Sequence, residues 1–252
     1  MAIRPDERYR AYCHTPLHYK MSYFITGTDT SVGKTLISCA LLHGFAAQGK
    51  QVVGMKPVAA GCADGDIHED VRQLRAASNV PASLGQINPY CFVQAVAPHL
   101  AAQFAGVNIN FKRIVESFTE LAGQADEVIV EGAGGFVVPL NDRENSADLA
   151  MLLGLPVILV VGMRLGCLNH ALLTAEAIAA RGLKLAGWVA NVLDADMLML
   201  DGNITALQQR IGAPLLGVVQ HQQRLDAVAA ASCLDLRLLL NLNSPEYAEQ
   251  HD

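Results

Sequence analysis

The chain has 252 residues, with 18 Lys and Arg against 24 Asp and Glu and a formal charge of −6. That acidic balance excludes a protein built to grip a nucleic-acid backbone, which carries a basic footprint. At 52% hydrophobic and 17% charged residues, there is apolar surface for one large core, which excludes disorder, collagen-like repeats and a disulfide-stapled miniprotein.

Residues 1–20 carry Arg4, Asp6, Glu7, Arg8 and Arg10 and no apolar segment, so they do not read as a signal peptide. A dispensable, poorly ordered extension is expected there, followed by a single domain over 21–252. His14 and His18 share a metal-like spacing, but Pro16 between them breaks the helix that would present both. Short β-branched runs at 23–26, 51–55, 127–130, 156–161, 186–190 and 215–219 predict strands. Helical patterns at 34–48, 111–122 and 168–181 run into Gly49, Gly123 and Gly182, a helix-ending signal. This alternation predicts an α/β fold, a mostly parallel sheet with helices on both faces. Leu149–Met163 is too short for a membrane span and is interrupted by Gly154 and Pro156. The six cysteines are scattered without a C-x-x-C, so they read as reduced thiols of a cytoplasmic protein.

The first predicted strand runs into Gly27-Thr28-Asp29-Thr30-Ser31-Val32-Gly33-Lys34-Thr35 and then a helical pattern. Strand, Gly-rich loop and helix are the context a P-loop requires. Loop amides and the helix N-terminus converge on phosphate, Lys34 reaches the β- and γ-phosphates, and the Thr35 hydroxyl suits Mg²⁺. Five residues, not four, separate Gly27 from Gly33, so the usual spacing is met only with Thr28 at the first glycine position. The alternative is a βα turn that binds nothing.

Three further clusters close later strands. Lys56, before Pro57 and Gly61, sits at the strand edge where open α/β sheets bind ligands, and it adds a second cation near the γ-phosphate. An ordinary surface lysine is the alternative. Glu131 tips the apolar run 127–130 as a Walker-B-type carboxylate for Mg²⁺, and Gly132, Gly134 and Gly135 let amides approach a ligand. Its alternative is a solvated Glu in a Gly-rich turn. Gly166-Cys167-Leu168-Asn169 opens a helix whose amides suit a carboxylate, and it is equally an unliganded βα turn. A Cys167–His170 nucleophile pair is rejected because no acid orients the histidine.

Together these segments resemble the dethiobiotin synthetase family, P-loop enzymes of biotin synthesis. Matching stretches are Gly27–Thr35, Lys56–Gly61, Asn88-Pro89-Tyr90, Pro98-His99, Glu131–Gly135, Leu165–His170 and Gly187–Asn191. The resemblance implies a cyclo-ligase. The diamine 7,8-diaminopelargonate takes up CO₂ as a carbamate, ATP converts this to a carbamic–phosphoric anhydride, and the second amine closes the ureido ring. By the same resemblance Lys34, Lys56 and Thr30 are catalytic, and Thr35, Glu131 and Asp70 hold Mg²⁺, with Asp66 and Glu69 as rivals to Asp70. Asn191 reads adenine. Ala60 lies where many members have a substrate-binding Ser. Gly166–Asn169 receives the substrate carboxylate across a homodimer interface.

Departures are visible too. Ser31 stands where Glu is frequent in bacterial relatives, and Val218-Val219-Gln220 replaces an expected Glu-Ile-Pro near the nucleobase. The rival of another class is a partition-type ATPase acting as a nucleotide-dependent switch. It would carry an extra lysine where Thr28, Asp29 and Thr30 stand. A cobyrinate-type amidotransferase would need a glutaminase domain that this length does not accommodate.

Overall fold

A computed structural model describes residues 22–62 and 67–240, so the predicted extension over 1–20, with His14 and His18, lies outside the described residues. In chain order the elements are β1 (Tyr23–Gly27), α1 (Lys34–Ala47), β2 (Val52–Met55), β3 (Val58–Ala60), α2 (Glu69–Ala77) and α3 (Leu84–Ile87). Then come β4 (Tyr90–Phe92), α4 (Pro98–Phe104), α5 (Phe111–Ala122), β5 (Glu127–Glu131), α6 (Ser146–Leu153) and β6 (Val157–Met163). The chain continues through α7 (Cys167–Ala180), β7 (Leu185–Val192), α8 (Leu200–Gln208), β8 (Leu215–Val219), α9 (Ala227–Ala231) and α10 (Arg237–Leu240).

Six strands form one sheet in the order β2-β5-β1-β6-β7-β8, every pairing parallel. Parallel strands need crossover helices, so both faces are covered and the central strands are apolar at nearly every position. Strand alternation then sends neighbours to opposite layers. Phe24, Val128 and Val130 pack with Ile114 and Phe118 of α5 and Leu149 of α6. Tyr23, Ile25 and Ile129 pack with Ile37 and Leu41 of α1, Leu74 of α2 and Ala230 of α9. A third cluster seats α7 and α8 on Leu159, Val161 and Trp188. Each fully buried Leu, Ile or Phe contributes roughly 1.5–3 kcal/mol, and the layers together hold the strand ends rigid. Among the described residues no helix is long and apolar enough to cross a membrane.

The three helices end at their predicted glycines, in two different geometries. Gly49 and Gly182 close their helices with left-handed backbone, φ 81° and 67°, whereas Gly123 stays right-handed at φ −71°. Gly123 N–H still donates to the Thr119 carbonyl in the α-helical pattern, and Gln124 N–H then donates to the Leu121 carbonyl in a 3₁₀-type turn, so α5 ends without the left-handed cap. A second, two-stranded parallel sheet, β3 with β4, was not anticipated. Finally, Cys62 and Cys91 are joined in a disulfide rather than standing as thiols. Ala59 lies opposite Cys91, and the Gly61 and Cys62 amides both donate to the Phe92 carbonyl, which carries the two cysteines together across 29 residues of sequence. Cys39, Cys167 and Cys233 are free.

Candidate active site

The site gathers at the carboxyl ends of β1, β2 and β5. The turn from β1 to α1 is pinned from behind by the neighbouring strands. Thr28 N–H donates to the Val160 carbonyl (3.0 Å), Gly162 N–H to Thr28 Oγ1 (3.4 Å), and Asn191 Nδ2 to the Val32 carbonyl (2.9 Å). Gly33 adopts φ 91°, and a Cβ there would lie 2.2 Å from Asn191 Nδ2, so only glycine fits. Ser31 shares the left-handed region at φ 58°, a strain for a residue with a side chain. Among the described residues no side chain caps the start of α1, which leaves its first amides directed into the loop. Lys34 Nζ donates to the Asp29 carbonyl at 2.9 Å.

Lys56 follows β2 and is fixed through its main chain. Its N–H donates to the Ile87 carbonyl (2.8 Å), and its carbonyl accepts from Asn88 Nδ2 (2.6 Å), which also reaches the Tyr90 carbonyl (3.0 Å). Asn88 therefore ties the end of β2 to β4, a role that the Asn88-Pro89-Tyr90 string does not disclose by itself. The Lys56 ammonium is buried and lies 2.5 Å from Glu131 Oε1 and 2.9 Å from Asp70 Oδ2. Thr35 Oγ1 donates to the same Glu131 oxygen at 2.9 Å. Burial opposes the charge on Lys56, but Glu131 and Asp70 outweigh it and raise its pKa. Burial likewise works against ionised Asp70, and Lys56 outweighs it and lowers the carboxyl. Lys34 is brought down to about 8, by burial first and then by the Lys56 charge beside it.

These groups face a cleft of about 860 Å³. Of the sequence-predicted residues, Thr30, Ser31, Gly33, Lys34, Thr35, Lys56, Ala60, Asp70, Glu131 and Gly134 line it. Gly27, Thr28, Asp29, Val32, Gly132 and Gly135 belong to the two turns around it and are not part of the lining. Glu69 turns away to Arg72 and Gln73, and Asp66 lies outside the described residues. Glu131 is fully buried, which removes the solvated-Glu alternative, and its Oε2 has no hydrogen-bond partner among the described residues. An orphaned buried carboxylate oxygen beside Thr35 and Asp70 is an all-oxygen donor set that fits Mg²⁺.

Other predicted residues stand apart. Asn191 is buried behind the loop, with its amide group bonded to Val32. Gly166, Cys167, Leu168 and Asn169 begin α7 outside this cleft, and the Cys167 thiol is buried and raised by that burial. The cleft also includes His68, whose Nδ1 accepts the Asp70 amide at 3.2 Å, and Leu225 from the loop after β8. Neither lies in a motif, so no sequence pattern points to them.

A family profile described as an AAA domain matches residues 21–229. The chain is 56% identical over 214 residues to the ATP-dependent dethiobiotin synthetase BioD of Nitrosospira multiformis, covering 85% of this chain and 94% of that protein. It is 57% identical over 218 residues to the protein of the same name from Aromatoleum aromaticum, covering 85% and 97%. Among solved structures, the MinD cell division protein of Aquifex aeolicus superposes with a TM-score of 0.50 at 12% identity, over 90% of this chain and 92% of that one. At that identity the likeness speaks for the fold alone.

Proposed function

The chain belongs to the ATP-dependent dethiobiotin synthetase family, and from that premise we propose that its cleft converts 7,8-diaminopelargonate, CO₂ and ATP to dethiobiotin, ADP and phosphate. Identity above 50% to relatives of that name sets aside the partition-type ATPase.

Loop amides and the α1 N-terminus hold the phosphates, with Lys34 against the γ-phosphoryl group. One amine of the substrate adds to CO₂ and loses a proton, giving a carbamate. A carbamate oxygen attacks the γ-phosphorus, ADP departs, and a mixed anhydride remains. The second amine then attacks the anhydride carbon, the C–O bond to phosphate breaks, and the ring closes. Negative charge gathers in both transfers on oxygens between Lys34 and Lys56, so the two ammonium groups stabilise the transition states more than the ground state. Thr30 contacts the carbamate from the loop. Thr35, Asp70 and Glu131 would hold Mg²⁺, which supplies charge neutralisation on the phosphate oxygens. Asn191 has its Nδ2 taken by the Val32 carbonyl, which leaves Oδ1 to accept from the adenine amino group. Ala60 offers no hydroxyl, so binding on that wall is apolar.

Two further parts of the reading concern assembly and place. Leu165 is 98% and Leu198 87% exposed, flanking the packed pair α7 and α8. Apolar side chains so open to water favour a homodimer, in which Gly166–Asn169 of the partner subunit receives the substrate carboxylate. The enzyme works in the cytoplasm, where ATP is available. One observation carries the proposal, the convergence of Lys34, Lys56, Thr35, Asp70 and Glu131 on one cleft. Purified protein given ATP, Mg²⁺, bicarbonate and the diamine should form dethiobiotin and phosphate in equal amounts. ATP hydrolysis indifferent to the diamine overturns it.

A further inference from the structure

Asp29 is the one carboxylate within Gly27–Thr35. A fixed negative charge there opposes the polyphosphate that the loop holds, so its presence needs a reason. All three of its oxygens are engaged. Oδ1 accepts the Thr30 amide at 2.7 Å, Oδ2 accepts Arg164 Nη2 at 2.6 Å, and the main-chain oxygen accepts Lys34 Nζ at 2.9 Å. Asp29 thus shapes the crest of the loop through Thr30 and holds the phosphate-binding lysine, while Arg164 meets its charge.

Arg164 comes from a rigid support. It follows directly on β6, the strand beside β1, and the same stretch of β6 grips the loop through Val160 and Gly162. Both side chains are nearly half exposed, at 45% and 48%. A pair so open to water adds little to stability. Its consequence lies in the charge presented to the ligand. We propose that Arg164 is a positioning residue for the nucleotide: it neutralises and orients the Asp29 carboxylate, so that the Thr30 amide and the Lys34 ammonium meet the phosphates without a competing negative charge. This rests on the reading of the loop as an ATP site.

A double-mutant cycle on the full-length protein tests it, with ATP affinity by equilibrium binding and steady-state kinetics as readouts. Arg164→Ala should raise Kd and KM for ATP by about five-fold at low salt, with kcat changed less than about two-fold. Arg164→Lys should recover most of the loss, since it restores the charge. In an Asp29→Asn background, where Thr30 keeps its acceptor but the charge is gone, Arg164→Ala should change ATP affinity by less than about two-fold. The same penalty in both backgrounds overturns the proposal, as does an effect of Arg164→Ala on KM for the diamine alone. Failure of the wild-type protein to make dethiobiotin while binding ATP would reject the ligase reading instead, and the binding cycle would still read the role of Arg164.

Discussion

Strand β5 begins and ends on a buried glutamate, and the two ends of this one strand have opposite chemistry. Glu127, at the amino end of the sheet, is 1% exposed, and Glu131, at the carboxyl end, is 0% exposed. Burial drives the Glu127 carboxyl up to about 8; Lys50 pulls it down and Asp126 adds to the rise. Glu131 lies against the Lys56 ammonium and the Thr35 hydroxyl. Depth of burial is the same, so the neighbours decide: at Glu127 the Lys50 charge does not offset burial, whereas at Glu131 the Lys56 ammonium lies within ion-pair distance. Only the carboxyl end of a parallel sheet also has the loops that bring a ligand to such a pair.

The sharpest way to break that contrast is to remove the cation. Lys56→Ala strands Glu131 and Asp70 and takes away one of two ammonium groups facing the transferred phosphoryl. Turnover should fall by at least about 100-fold while ADP affinity stays within about three-fold. Glu127→Gln, in the same assay at pH 7, should leave turnover within about two-fold of wild type, because Glu127 is not among the residues that line the cleft. If both substitutions depressed turnover alike, the division of the strand into a reactive and a structural end would be wrong.

Next in size is the loop itself. Gly33→Ala would force a left-handed alanine and push its Cβ to 2.2 Å from Asn191 Nδ2. ATP binding should weaken by on the order of 100-fold, through roughly 1–3 kcal/mol of backbone strain together with the lost Val32–Asn191 contact. Alanine at Gly182, also left-handed at φ 67° but with no described residue within 4 Å of the added Cβ, should lower stability slightly and leave ATP binding intact. Equal effects at the two glycines would remove the argument that Asn191 locks the loop.

Most of the sheet was legible because two-sided burial writes continuous apolar runs, as at 157–161, and these resist other readings. The P-loop was legible for the same reason: it is local. What sequence did not disclose are matters of three dimensions. Strands β3 and β4 are three residues each, Val58–Ala60 and Tyr90–Phe92, too short for a period to register. Their pairing is what brings Cys62 to Cys91. Asp70 could not be separated from Glu69 by sequence, since both open α2 and only the turn of the helix sends one to Lys56 and the other to Arg72. Arg164 and Asp29 are far apart in the chain, and their contact exists only because β6 lies beside β1.

The Cys62–Cys91 bridge sets the small β3–β4 sheet against the six-stranded one. It closes a loop with a sequence separation of 29, and chain entropy assigns such a loop about 3–4 kcal/mol. Alkylation without reductant, read by mass spectrometry, should label Cys39, Cys167 and Cys233 in the denatured protein and spare Cys62 and Cys91. Reductant should then lower the urea midpoint, whereas a Cys62→Ser, Cys91→Ser variant should start low and not respond. Labelling of Cys62 and Cys91 as well would mean that the small sheet stands on its hydrogen bonds alone.

The smallest expected effect returns to Glu127. Its carboxyl titrates near 8 when folded against an ordinary value of 4.5. Between those values the unfolded chain has released the proton and the folded chain has kept it, so the folded state binds more protons and unfolding free energy falls as pH rises. The contribution is whole below about pH 4.5 and gone once pH has passed about 8. Glutamine is neutral throughout and has no such slope. Relative to wild type, Glu127→Gln should therefore gain stability steadily from pH 5 to pH 8, by on the order of 1–3 kcal/mol, and level off above it. Urea unfolding at pH 5, 7 and 9 measures the difference. A difference that does not change with pH would mean that the amino end of β5 keeps an ionised carboxylate, and that the two glutamates are alike after all.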